Sequence, residues 1–204
     1  MPSLLPFGCW PSRLSAAAVA AAARRLSQPR LHRGRVYWLE SRPEDGGRQG
    51  VVRLEPGGGA VPVTPSGMDV RSRVHEYGGG DFGFVGDTLV YAASGEPGIQ
   101  RLGAAPLGGS RSGARYADFC GSPDGKWLVA VEEAPRGEEE PENRLVAFHL
   151  PSGERRILLG DHDFVSSPCF ARDGSRLACL ACTTRTCLGM APSFTRFSGT
   201  PPAP

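Results

Sequence analysis

Asp124-Gly125-Lys126-Trp127-Leu128-Val129-Ala130-Val131 is a polar turn running straight into an unbroken apolar strand, and the same plan recurs three more times along the chain. The other copies are Arg33-Gly34-Arg35-Val36-Tyr37-Trp38-Leu39, Gly86-Asp87-Thr88-Leu89-Val90-Tyr91 and Asp173-Gly174-Ser175-Arg176-Leu177-Ala178. Val36, Leu89, Leu128 and Leu177 stand at irregular intervals near the roughly 40 to 50 residues of a propeller blade. A further strand follows each of the first three copies, at Gln49–Leu54, Ile99–Leu102 and Arg144–Leu150. The first and third units add a fourth apolar stretch, Ala60–Val63 and Ile157–Leu159. Four antiparallel strands per unit is the plan of a blade. The expectation is an all-β fold, a partial β-propeller of about three to four blades across residues 31–182.

Composition agrees with that reading. The chain has 204 residues, and its 28 Gly and 19 Pro punctuate many short apolar runs, as frequent turns between short strands require. With 23 basic against 21 acidic residues and a net charge of +2, nothing points to a nucleic-acid partner. No apolar run approaches the roughly 20 residues needed to cross a bilayer, so no membrane partner is expected. Of six cysteines, Cys179, Cys182 and Cys187 crowd into the last segment and the rest are scattered. That pattern fits a reduced, cytoplasmic protein better than a disulfide framework.

Residues 1–30 form a lead-in, with a short Ala-rich helix expected at Ala16–Ala23. Arg24-Arg25 follow the apolar stretch, whereas a secretory signal carries its charge ahead of it. An arginine-rich transit peptide is the competing reading of this segment.

The densest chemistry lies in Val70–Phe84, V-R-S-R-V-H-E-Y-G-G-G-D-F-G-F. Gly78, Gly79 and Gly80 are expected to make a sharp structural turn, since glycine tolerates positive φ and close backbone approach. Asp81-Phe82-Gly83 spells a kinase metal-binding triplet, but no H-R-D loop or V-A-I-K strand accompanies it. No lysine-bearing phosphate loop follows the glycines, which removes a nucleotide site. His32, His75, His149 and His162 lack ligand spacing, so no metal and no cofactor is expected. The acidic run Glu138–Glu140 reads as a solvated hairpin loop.

Taken together, these strings resemble the S9 serine peptidases of the prolyl oligopeptidase clan, in particular acylaminoacyl peptidase and dipeptidyl aminopeptidase-like members. The resemblance is carried by Gly8–Ser12 (G-C-W-P-S), Arg35–Glu44 (R-V-Y-W-L-E-S-R-P-E) and Val70–Gly80, which contains the specific string V-H-E-Y-G-G-G. It continues through Arg115–Asp118, Ser122–Gly125, Asp163–Pro168 and Asp173–Ala178. The resemblance implies an N-terminal, usually seven-bladed propeller covering a C-terminal α/β-hydrolase domain that bears a Ser-Asp-His triad. It also implies short peptides as substrates, with the propeller restricting access to the catalytic serine. That serine sits in a G-x-S-x-G elbow, which these residues do not contain, so no catalytic residue is assigned. The hydrolase domain is the implied missing partner.

Within that frame His75, Glu76 and Tyr77 are the candidate substrate-binding residues. A carboxylate near the inner mouth would pair with a peptide's free amino terminus, and an aromatic ring would flank it. Support of a blade turn is the other role open to His75 and Glu76. The alternative function is a stand-alone propeller-like module that binds a partner protein. A small secreted disulfide protein ranks behind both.

The resemblance stops near Leu180. Thr183–Phe194 can be encoded so that a one-base shift reads D-H-P-N-M-P-W-D-G-T-E-L, the continuation that the family implies. Residues 183–204 are therefore expected to be an out-of-frame, disordered tail. An open propeller also leaves a sheet face without its neighbouring blade, so poor solubility is expected.

Overall fold

The structure is a computed structural model that describes Cys9, residues 14–15, 23–109, 113–183 and 193–197, the last of these as backbone only. Four antiparallel sheets follow one another along the chain, each with its strands in sequence order. The first holds β1 (Arg25–His32), β2 (Arg35–Arg42), β3 (Arg48–Leu54) and β4 (Ala60–Pro62). The second holds β5 (Phe82–Val85), β6 (Thr88–Tyr91), β7 (Ile99–Arg101) and β8 (Ala104–Leu107). In the third are β9 (Arg115–Gly121), β10 (Trp127–Arg136), β11 (Glu139–His149) and β12 (Arg155–Leu159), and in the fourth β13 (Phe164–Phe170), β14 (Leu177–Cys182) and β15 (Ser193–Phe197). These are blades 1 to 4 of a partial propeller.

The four repeated segments of the sequence are the turn and second strand of each blade. Their turns pass through positive φ: Arg33-Gly34 at +47° and +73°, Gly125 at +71° and Gly174 at +73°. Asp124 caps its turn by accepting from Ser122 Oγ and the Lys126 amide, and Asp173 accepts from the Ser175 amide in the same way. Each second strand buries both faces where it has a blade on either side, which is why β10 is buried along Trp127–Ala134 and reads as a continuous apolar run.

Three apolar layers between successive blades make up the core. Tyr37 and Leu39 of blade 1 meet Leu89, Tyr91 and Ala93 of blade 2. Val90, Ala92 and Ile99 meet Tyr116, Leu128, Ala130 and Phe148 of blade 3. Val129, Val131 and Leu145 meet Val165, Leu177 and Cys179 of blade 4. Blade 3 also carries a buried charged group, Glu132. Its carboxylate accepts from Tyr116 Oη at 2.9 Å and from Arg155 Nε and Nη2 at 3.0 and 2.5 Å, with Arg144 Nη1 at 3.6 Å.

The first strands β5, β9 and β13 pack side by side at the hub, and the sequence did not single them out as strands. Each of β1, β9 and β13 breaks its register around a non-glycine residue of positive φ, at Gln28, Asp118 and Ser167. Such bulges raise local twist and aim a side chain out of the ladder. Blade 1 begins at Arg25, ahead of the boundary expected at residue 31. The expected helix at Ala16–Ala23 lies outside the described residues except for Ala23, which is irregular.

At the other end, Ser193–Phe197 falls in the segment expected to be disordered, yet it pairs with β14 from Ala181↔Ser193 to Leu177↔Phe197. The physical reason is that β14 presents an unpaired edge, and S-F-T-R-F is rich in strand-favouring residues. Residues 184–192 and 198–204 lie outside the described residues. Cys9, Cys120, Cys169 and Cys179 are free thiols, whereas Cys182 is disulfide-bonded, which departs from the expectation of reduced cysteines.

Candidate functional site

The connection from β4 to β5 contains V-H-E-Y-G-G-G, and it does not take the short route between blades 1 and 2. Val70 bridges to Ala93 of blade 2, and Ser72 Oγ then donates to the Tyr116 carbonyl of blade 3 at 2.8 Å. Val74 is 1% exposed and sits in the layer between blades 3 and 4. From there the chain turns back through His75 and Glu76, whose φ values of +55° and +63° are rare for residues bearing a Cβ. Such a turn persists only where its surroundings hold it.

Blade 3 supplies that hold. Glu133 is buried and accepts from the His75 amide at 2.6 Å. His75 Nε2–H donates to Asn143 Oδ1 at 2.9 Å, and Asn143 Nδ2 donates to the Asp163 carbonyl at 2.6 Å. One asparagine thereby ties the connection to the entry of blade 4. Arg115 completes the frame by pairing with Glu76 and with Glu133 at 3.1 Å. Glu76 also pairs with Arg73 at 2.7 Å. The Arg115 guanidinium first, and Arg73 with it, holds the Glu76 carboxyl below its ordinary range.

The three glycines lie where the connection returns to the hub. Gly78 has φ of +88°. A Cβ on Gly79 would stand 2.9 Å from the Ala117 Cβ, and one on Gly80 would stand 2.9 Å from Asp118 Oδ1. Beyond them Asp81 accepts from the Ser72 amide and Gln28 Nε2, both at 2.6 Å. Burial pushes its carboxyl above the ordinary range despite those hydrogen bonds.

Outside this frame opens a cleft of about 920 Å³, lined by His75, Glu76, Tyr77 and residues of β11 and the β12–β13 connection. Its aromatic rim is Tyr77, 81% exposed, with His75 between it and Phe164 at ring-centroid distances of 5.8 and 5.2 Å. Glu140, Glu142 and Asp161 supply carboxylates around the same opening. Glu142 is paired with Arg144, while Glu140 and Asp161 make no ion pair among the described residues.

The three candidate residues are therefore brought together at one cleft, but with different commitments. Tyr77 is open, His75 is held by Asn143 and Glu76 is spent on two arginines. Arg115, Glu133, Asn143, Glu140 and Asp161 were not singled out for this site from the sequence. Arg115 did stand in the R-Y-A-D string, whereas Asn143 is one polar residue in a strand and carries no periodic signal. Among the described residues no group of three or more His, Cys, Asp or Glu is placed to hold a metal ion.

No protein-family model and no curated protein matches the chain. Solved structures do. A Mycobacterium tuberculosis puromycin-hydrolyzing peptidase superimposes with a TM-score of 0.73 at 34% identity, over 88% of this chain and 30% of that one. A puromycin hydrolase gives 0.71 at 27% identity, over 89% and 31%. An oligogalacturonate lyase, at 0.58 and 14% identity over 81% and 47%, shares the fold alone. Matched in fold and in sequence along most of its length, the chain is a partial β-propeller that resembles the S9 serine peptidases, and it spans about 30% of the length of the peptidases it matches.

Proposed function

We propose that this chain is the substrate-gating propeller of a serine peptidase acting on short peptides in the cytoplasm, with hydrolysis carried out by an α/β-hydrolase domain. The observation that carries the reading is the cleft that joins an exposed aromatic rim to unpaired carboxylates. A peptide's ammonium group needs a carboxylate that is not already neutralised, because a paired one must first break its existing ion pair. Glu76 is held by Arg73 and Arg115, so its role in this reading is to fix the turn. Glu140 and Asp161 are the groups that would take the amino terminus, with Tyr77 packing against the first side chain.

The test is a titration of the 204-residue chain with a short peptide bearing a free amino terminus and with its acetylated twin, followed through the Tyr77 ring resonances. Selective perturbation by the free-amine peptide, lost in Glu140→Gln/Asp161→Asn, supports the cleft. Equal response to both peptides sinks it. In a catalytically competent family member with the same V-H-E-Y-G-G-G turn, the change equivalent to Glu76→Ala should loosen the turn. A peptide KM left unchanged there would rule out a substrate role for that carboxylate.

A further inference from the structure

Arg30 is a half-buried cation on the innermost strand of blade 1. It stands two residues past the bulge at Gln28 and directly opposite Tyr37. Cross-strand partners share a face of the sheet, and Tyr37 belongs to the layer between blades 1 and 2. The Arg30 guanidinium accordingly lies 5.6 Å from the centroid of the Phe82 ring in blade 2. Its charge is felt in blade 3 as well. Burial raises the Cys120 thiol above its ordinary range, and the nearby Arg30 charge works against that rise. Arg30 therefore sits among the inner strands of three blades, which in a propeller surround the axis.

Nothing among the described residues answers this charge. The Arg30 Nε is buried without a hydrogen-bond partner, and no hydrogen bond or ion pair engages its Nη groups among the described residues. A buried donor left unmade is costly, more so on a charged group, and such a group calls for an explanation. The carboxylates of the hub are already committed elsewhere. Asp118 accepts from the amides of Gly80 and Ser167, and Asp81 accepts from the Ser72 amide and Gln28 Nε2. The glycine run keeps the guanidinium clear instead. A Cβ on Gly80 would stand 3.3 Å from Arg30 Nη2, so a side chain there would crowd the end of the fork.

We propose that Arg30 is a recognition residue for the carboxylate of a short peptide, a role that rests on the reading of the chain as a substrate-gating propeller. A guanidinium presents paired N–H donors that match a carboxylate bidentately. Arg30 has no ion pair to break before it does so, and Phe82 supports the cation through its ring face. Tyr77 on the rim of the cleft and Gly80 beside Nη2 are three residues apart, so their Cα atoms are at most about 11 Å from one another. Four extended residues of a peptide cover that span. Uncommitted carboxylates at the cleft and an uncommitted cation at the hub suit a short peptide with both termini free.

The experiment is a calorimetric titration of the full 204-residue chain with a tetra-alanine peptide in its combinations of free or acetylated amino terminus and free or amidated carboxyl terminus. The expected result is that a free carboxylate tightens binding about tenfold or more, whichever amino terminus is present. That preference should vanish in Arg30→Gln and fall to an intermediate value in Arg30→Lys, which keeps the charge without the fork. It should persist in Arg35→Gln, at an exposed site of the same blade. Far-UV circular dichroism confirms that each variant retains its strands. An amidated peptide bearing a Glu side chain that regains tight binding extends the site to side-chain carboxylates, and one that does not confines it to the terminus. Acid and amide forms bound equally, or not at all, overturn the proposal, as does a preference that survives Arg30→Gln. The acetylated twins score amine discrimination at the cleft separately, so its loss strikes the cleft assignment while the carboxylate preference is still read on its own.

Discussion

Gly80 and Asp118 exchange hydrogen bonds across the gap between blades 2 and 3. The Gly80 amide donates to Asp118 Oδ1 at 2.5 Å, and the Asp118 amide donates to the Gly80 carbonyl at 2.8 Å. Asp118 Oδ2 in turn accepts from the Ser167 amide of blade 4 at 2.8 Å. One bulged residue thus holds three inner strands together, and the left-handed backbone at Asp118 is what turns its carboxylate to both neighbours. Asp118→Ala removes both acceptors and leaves two amides without them. The Gly80 amide is half-buried and the Ser167 amide exposed, so water replaces part of what is lost and the cost should be about 0.5–1.5 kcal/mol per hydrogen bond, measured by urea denaturation.

Close approach at the hub makes a second prediction. A Cβ on Gly83 would lie 2.7 Å from the Phe119 carbonyl oxygen, a backbone atom that cannot swing aside, whereas one on Gly59 meets nothing within 4 Å. Gly83→Ala should destabilise by about 1–3 kcal/mol. Gly59→Ala should stay within about 0.5 kcal/mol of wild type. Equal denaturation midpoints for the two variants would contradict the packing of β5 against β9.

The buried carboxylate of blade 3 offers a third. Glu132→Ala leaves Arg155 without its counter-ion and Arg144 with Glu142 alone, and loss of one partner from a buried pair typically costs about 3–5 kcal/mol. Glu154→Ala removes an exposed, solvent-screened partner of Arg156 and should move the midpoint far less. Denaturant midpoints of the two variants give the comparison directly.

Two carboxylates in the β4–β5 connection should respond to pH in opposite senses. Glu76 is depressed from its ordinary 4.5 by Arg115 and Arg73, so its contribution is present above 4.5 and is lost as pH falls through the lower folded value. Asp81 is raised from 3.8 by burial. Its contribution is full below 3.8 and is lost as pH rises through the higher folded value. Glu76→Gln should flatten the acid side of the melting-temperature profile, and less so in high salt because the group is exposed. Asp81→Asn should remove the decline on the rising side. Identical profiles for wild type and both variants would refute the assignment.

The shifted-frame reading of the C-terminal segment is checked by resequencing the DNA from codon 175 onward. The expected outcome is an open alternative frame reaching a G-x-S-x-G motif with Asp and His beyond it. A quick stop in that frame and confirmation of Thr183–Phe194 would end that reading.

Second strands were legible from the sequence because their turns carry Gly at positive φ and their apolar runs are continuous, as in Asp124–Val131. First strands were not. A bulge at Gln28, Asp118 or Ser167 interrupts the alternation by which a half-buried strand is recognised. A shared pattern survives that interruption, a polar residue followed by Pro or Phe, in Gln28-Pro29, Asp81-Phe82, Asp118-Phe119 and Ser167-Pro168. At the site, His75, Glu76 and Tyr77 stood out by their chemistry, but their separate commitments depend on Arg115, Glu133 and Asn143. Asn143 is 68 residues from its histidine partner, and no local pattern encodes a contact at that range.

The path of Val74 sets an order of events during synthesis. Its side chain belongs to a layer made by Ala117, Val129, Val165 and Leu177, all of which leave the ribosome after it. Blade 1 can close on local contacts and Val70 can settle against blade 2, but the stretch from Ser72 to Val74 has no place to settle until blades 3 and 4 exist. The nascent chain therefore carries a waiting strap, and loop closure over that span makes its docking slow. A chaperone that delays collapse would meet this protein at the strap, before the hub has formed.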